Sequence, residues 1–174
     1  MDTNGKIISP GTIMFERLLP GPIEKVWAYL TESEKRGKWL AKGDMELIEG
    51  GRVDLYFLHK ELSPVAEVLP EKYKDMENGH HSTEKILKVK PPFLLSFTWD
   101  AGSSEVLFEL EEKDDKVLLR LTHSKLGENK EIRISMAAGW HAHLEILIAN
   151  LDGSPIEGFW KRHAALENIY SSLV

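Results

Sequence analysis

Between residues 104 and 151 the apolar side chains change their period once, and that change limits what this chain can fold into. In SSEVLFELEE and KVLLRLTHSKL they recur at every second position: Val106, Phe108 and Leu110 share one face, and Leu119, Leu121 and His123 share another. The opposite faces carry Glu105, Glu109, Arg120 and Thr122, so both segments read as strands covered on one side and wetted on the other. Asp114-Asp115 joins them as a tight turn. From about Asn129 to Leu151 the spacing turns helical, through Ile132, Met136, Trp140, Leu144, Leu147 and Leu151. Antiparallel strands followed by one long helix make an α+β domain.

The preceding residues supply more of the same sheet. Thr12 to Leu19 reads as a strand closed by Pro20-Gly21, and Pro22 sits where a helix can begin without losing a hydrogen bond. Glu24 falls in the positive first turn of that helix, and Val26, Trp27 and Leu30 give it an apolar side. Thr31 and Glu34 have capping-box spacing, which predicts a second short helix from Thr31 to about Gly37. Trp27 and Trp39 are the expected anchors of the pair. MELIEGGRVDLYFL contains the hairpin signal Gly50-Gly51, followed by Val53, Leu55 and Phe57 at period two. Residues 59–79 are polar and Pro-punctuated and read as a long excursion. HHSTEKILKV and FLLSFTW add two strands. After Leu151, Gly153 is a stop, and Ser154-Pro155-Ile156-Glu157 predicts the cap of a last helix with Phe159, Leu166, Tyr170 and Leu173 on one stripe. The expected unit is a single domain over 1–174, with a core of about 12–152 and an appended helix of about 155–173.

A long helix cannot lie flush along a twisted sheet of six or seven strands. If the sheet curls around it, the two enclose a cavity, and apolar cavities are the usual ligand sites. The expected lining is Phe57, Leu95, Phe97, Trp99, Phe108, Leu121, His123, Trp140 and Leu144, with His123 as the polar group that orients a ligand.

Other chemistries find little support. The chain has 174 residues, is 42% hydrophobic and carries a formal charge of −6, an acidic balance that argues against nucleic-acid binding. No run of 18 apolar residues predicts a membrane span, and MDTNGKIISPG lacks the layout of a signal peptide, so a cytoplasmic setting is expected. Without cysteine, thiolate catalysis and cysteine-ligated zinc are excluded. Seven histidines invite a metal reading. However, His141 and His143 project to opposite sides of a helix, and His80 and His81 diverge on a strand, so no metal site is expected. Arg17 is the one charge among apolar neighbours in the first strand; it either pairs on the sheet or faces the cavity. No nucleophile elbow, Walker loop, dinucleotide fingerprint or paired catalytic carboxylate stands out, and no cofactor is expected.

The stretches RLLPGPIEKVWAYLTESEKRGKWL, KILKVKPPFLLSFTW, VLLRLTHSKL and GWHAHLEILIANL, together with the Gly50-Gly51 hairpin, resemble the homologues of the activator of Hsp90 ATPase, of the START-like and Bet v 1-like helix-grip superfamily. The resemblance spans about residues 12–170. It implies a seven-stranded antiparallel sheet curved around a long C-terminal helix, with two short helices after the first strand. The superfamily includes ligand carriers, cyclases, hydratases and co-chaperone domains, so the fold by itself does not name an activity. Lys88 stands where family members often have Glu, and residues 59–79 exceed the usual link near the cavity mouth. The full eukaryotic activator has a further N-terminal domain that does much of the Hsp90 binding. The expected function is non-enzymatic binding of a small apolar or amphipathic molecule by a monomer or homodimer. A chaperone-accessory role is the alternative, and a cyclase- or hydrolase-like enzyme using His123 as acid–base ranks third.

Overall fold

A computed structural model describes residues 2–174. Seven strands form one antiparallel sheet: β1 (Lys6–Ser9), β2 (Thr12–Pro20), β3 (Arg52–Phe57), β4 (His80–Lys90), β5 (Leu94–Trp99), β6 (Ser104–Lys113) and β7 (Lys116–Ser124). Their spatial order is β1-β2-β7-β6-β5-β4-β3. The chain leaves the sheet after β2 and returns at the far edge as β3. Two short helices, α1 (Ile23–Thr31) and α2 (Ser33–Arg36), make that crossing. The long helix α3 (Lys130–Asp152) then lies in the concave face, and α4 (Trp160–Tyr170) packs beside it.

Pleating explains the sheet's two surfaces. Val106, Phe108 and Leu110 of β6 and Val117, Leu119 and Leu121 of β7 are buried towards α3. On the other face Glu16 pairs with Arg120 across β2 and β7, with Nε and Nη2 of the arginine 3.1 and 2.9 Å from the carboxylate. The β6–β7 register runs from Glu105↔Ser124 to Lys113↔Lys116, which leaves Asp114-Asp115 as a two-residue loop. Asp114 has a φ of 58°, a left-handed conformation that aspartate tolerates better than most residues.

The strand count of seven conceals two differences from the sequence reading. Lys6–Ser9 forms an edge strand, short and exposed, which carried no alternation to betray it. The first arm of the expected Gly50-Gly51 hairpin makes only the isolated bridges Lys42↔Tyr56 and Met45↔Val53. Gly50 N–H and Gly51 C=O bond to Ile86 of β4 and extend the β3–β4 pairing.

The capping assignments also change. Thr31 ends α1, and its hydroxyl donates to the Trp27 carbonyl at 2.9 Å, so it is not free to cap a following helix. Arg36 organises that corner: its buried guanidinium donates to the carbonyls of Leu30, Thr31, Ala41 and Gly43. Burial lowers its pKa to about 10, which leaves it charged at neutral pH. Trp39 is fully buried and donates to Tyr29 O at 2.8 Å.

At the other end, Ser154-Pro155-Ile156-Glu157 stays outside the helix. The cap of α4 is Glu67, from the 59–79 excursion. Its carboxylate accepts the N–H groups of Phe159, Trp160 and Lys161 at 2.8, 3.0 and 2.9 Å. These are the orphan donors of a helix start, at its positive end. Gly158 makes room, because a Cβ there would lie 2.7 Å from Glu67 Oε1. Leu173 falls beyond the helix and is exposed, while Trp160 and His163 join the buried side. Glu67→Ala is expected to cost about 1–2 kcal/mol in urea unfolding, the usual scale of a lost cap; an unchanged midpoint would show that water replaces the carboxylate.

Candidate functional site

The sheet and α3 diverge at one end, where β3 finishes, β4 begins and β5 finishes. A cavity of about 360 Å³ remains there, bounded by Phe57, Trp99 and Trp140 and roofed by Tyr73 of the excursion and Phe159 and Trp160 at the start of α4. This lies within the size range of small-ligand pockets. Where α3 faces the cavity it carries Gly139, and a Cβ there would meet only His163 Nε2 at 4.0 Å. The space therefore exists partly because a side chain is missing from the helix wall.

Three of the nine expected lining residues meet at the cavity. Trp99 packs against Trp140 with ring centroids 4.8 Å apart, and Phe57 packs edge-on to Trp99 at 5.5 Å. Leu95, Phe97, Phe108, Leu121 and Leu144 lie deeper, at most 1% exposed, in the continuous core between sheet and helix. Trp99 stands at the end of its strand and borders the cavity, whereas Leu95 and Phe97 lie earlier in the strand, within the core. Phe108→Ala is expected to cost about 3–5 kcal/mol of folding free energy, as for a buried phenylalanine, and calorimetry against the parent checks it.

His123 holds a different place from the one expected. It is fully buried, and both ring nitrogens are committed. Trp140 Nε1–H donates to Nδ1 at 2.8 Å, so the proton sits on Nε2, which donates to Ser104 Oγ at 2.8 Å. Burial lowers its pKa to about 4. His123 ties β7 to α3 and has no atom left to orient a ligand. Arg17, the other open question, lies on the inner face, 3% exposed, with Nη1 donating to Glu16 O at 2.9 Å and the guanidinium over the Phe15 ring.

The polar groups at the cavity are Tyr73, Ser82, Asp100, Ser135 and four other histidines. His59, from a 3₁₀ turn over His59–Glu61, is buried among Phe159, Trp160 and His143, with centroids 4.4, 4.9 and 5.3 Å away. Its Nδ1 has no hydrogen-bond partner, and neither has Nε1 of Trp160. Burial, then the neighbouring His143, His163 and His80, push its pKa down to about 2. His143 Nδ1–H donates to Trp39 O at 2.6 Å, and burial lowers its pKa to about 4 despite that bond. His163 Nε2–H donates to Ser135 O at 3.2 Å, and its pKa is also lowered, mainly by burial. His80 lines the mouth from the first position of β4 while His81 faces outward on Tyr56, so the two diverge as expected on a strand. Likewise His141 turns away from the cavity to Tyr170, its Nδ1 2.8 Å from the hydroxyl. Among the described residues no group of three or more His, Asp or Glu side chains is arranged to hold a metal ion. Periodicity gave no notice of His59, which lies in the polar excursion.

The excursion is thus part of the cavity wall. Glu167 of α4 accepts from Lys72 Nζ at 2.8 Å and from Tyr73 Oη at 2.5 Å, and Tyr73 Oη lies 2.7 Å from Ser135 Oγ of α3. Together with Glu67, these contacts clasp residues 59–79 to both C-terminal helices.

The lowered histidine pKa values have a consequence for stability. Between about pH 6.5 and 4 an unfolded chain protonates His59, His123 and His143, while the folded chain keeps them neutral. The unfolded state then holds more protons, and stability falls as pH falls, by up to about 1.4 kcal/mol per unit for each group. Glu145, whose pKa its bonds to Arg162 and His141 lower to about 2 against the opposing burial, adds a loss in the same direction below its ordinary range. The melting temperature is expected to drop by several degrees from pH 7 to pH 5. A flat profile would mean that these side chains are hydrated in the folded protein.

Comparison with known proteins agrees with this geometry. The model of the family described as Activator of Hsp90 ATPase homolog 1-like protein matches residues 20–152. The chain belongs to this family. Its structure is similar to the solution structure of a protein from Bordetella parapertussis at 38% identity and a TM-score of 0.82, covering 99% of this chain and 91% of that one. It shares its fold with CalU16 from Micromonospora echinospora at 21% identity and a TM-score of 0.67, with 98% and 94% covered. The Aha1 dimer from Colwellia psychrerythraea gives 18% identity and 0.63, with 82% and 97% covered. No curated protein matched. No helix among the described residues is long and apolar enough to cross a membrane.

Proposed function

We propose that this family member binds a small, uncharged, largely apolar molecule in the cavity between the sheet and α3. The observation that carries the reading is an aromatic-walled space of about 360 Å³ held open by a glycine in the middle of a helix. Glycine costs about 1 kcal/mol relative to alanine inside a helix, so Gly139 weakens α3 and keeps the cavity clear. The ring faces of Trp99, Trp140 and Phe57 favour a flat apolar ligand. A binding role suits the histidines better than an acid–base role. General bases work best with a pKa near the working pH, and values of about 2 and 4 make His59 and His143 poor ones.

Gly139→Ala is expected to stabilise the protein by up to about 1 kcal/mol, whereas Gly139→Leu should fill the cavity while the protein stays folded. Native mass spectrometry of protein purified without denaturant then tests the reading. A small molecule carried by the parent and absent from Gly139→Leu supports it. A molecule retained by the filled variant would place binding elsewhere.

A further inference from the structure

The cavity's polar equipment narrows the ligand further. His143 donates through Nδ1–H to Trp39 O, so its Nε2 is a bare lone pair. The bond through Nδ1 is the one hydrogen bond of that side chain, and the residue lines the cavity. The imidazole of His59 makes no hydrogen bond with the protein. Its Nδ1 is buried against aromatic rings, whereas Nε2 is not among the sealed, unpartnered atoms. An unpaired N–H is the rarer thing to bury, which assigns the proton of His59 to Nε2, the nitrogen on the cavity side. The two neighbouring rings, whose centroids lie 5.3 Å apart, therefore present one donor and one acceptor. A single oxygen about 2.8 Å from each nitrogen can serve both, provided it carries a hydrogen. Around the pair stand Phe57, Trp99, Trp140, Phe159 and Trp160.

We infer that the ligand is a neutral hydroxylated aromatic molecule, whose hydroxyl accepts from His59 Nε2–H and donates to His143 Nε2. This rests on the binding reading above and adds the ligand's class. Three further features agree with it. The two imidazoles resist protonation and so offer no positive charge to an anionic head group. No Lys or Arg lines the cavity, and Lys72, beside the roofing Tyr73, is held by Glu167. A histidine buried without a hydrogen bond also weakens the fold relative to phenylalanine in the same space, so the folded core alone gives no reason for it.

The test uses the full chain and three probes that differ only at oxygen: 2-naphthol, 2-methoxynaphthalene and naphthalene, titrated at neutral pH and followed by tryptophan fluorescence. The naphthol both donates and accepts, the ether only accepts, and naphthalene does neither. Affinity is expected to fall in that order, with the naphthol about tenfold or more above naphthalene, since each buried hydrogen bond gained is worth several-fold. His59→Phe keeps the ring and removes the donor. It should keep or raise the melting temperature, erase the ether's advantage over naphthalene, and leave the naphthol's advantage over the ether. Equal affinities for the three probes would overturn the hydroxyl assignment while leaving an apolar binding cavity in place. Tighter binding of 2-naphthoate than of 2-naphthol would overturn the neutral class. Failure of every probe to bind would remove the binding reading, and this inference with it. Should His59→Phe fail to fold, the order of the three probes on the parent protein decides by itself.

Discussion

A helix of 23 residues has to be buried on more than one side here, and the rest of the structure answers that requirement. Between Ala137 and Leu147 almost every side chain of α3 is buried, including His141 and His143. The concave sheet covers one side through Leu119, Leu121 and Phe108. The segment leading out of α2 covers another, with Trp39 O accepting from His143, and α4 covers a third, with Tyr170 against His141. A twisted sheet can follow a straight helix only over part of its length. The two part at the end marked by Phe57 and Trp99, and the cavity is what remains.

The open end is closed by parts of the chain distant in sequence. Glu67 reaches the start of α4, and Glu167 of α4 reaches back to Lys72 and Tyr73, so the excursion and the last helix hold each other through two carboxylates. That mutual hold brings His59 and Tyr73 over the space that the sheet leaves. The cavity wall is consequently of two kinds. The sheet and α3 supply aromatic side chains set by regular pleat and pitch. The clasped segments supply His59, Tyr73, Phe159, Trp160 and His163.

The sequence made the sheet and the long helix legible wherever one face is dry and the other wet, as along Val106–Leu110 and Leu119–His123. It failed where burial is not one-sided. The stripe from Ile132 to Leu151 understated α3, because α4 covers the side that looked polar, while Ile132 itself is exposed at the mouth. The capping motifs at Thr31 and Ser154 had correct spacing, yet another partner took each role: the Trp27 carbonyl occupied the threonine hydroxyl, and Glu67 occupied the helix start. Of the expected site, Phe57, Trp99 and Trp140 share the cavity, and His123 became a bridge because Trp140 and Ser104 took both of its nitrogens.

Local spacing therefore determined the α+β class, the antiparallel strands and the placement of one long helix after them. These follow from the period with which a backbone presents its side chains, a property each segment has alone. The tertiary structure decided which apolar residues fill the core and which face empty space, and which histidines are spent on the fold. Those outcomes depend on where helix and sheet part company and on what residues 59–79 meet ninety residues later. No pattern within a segment encodes a distance between two segments.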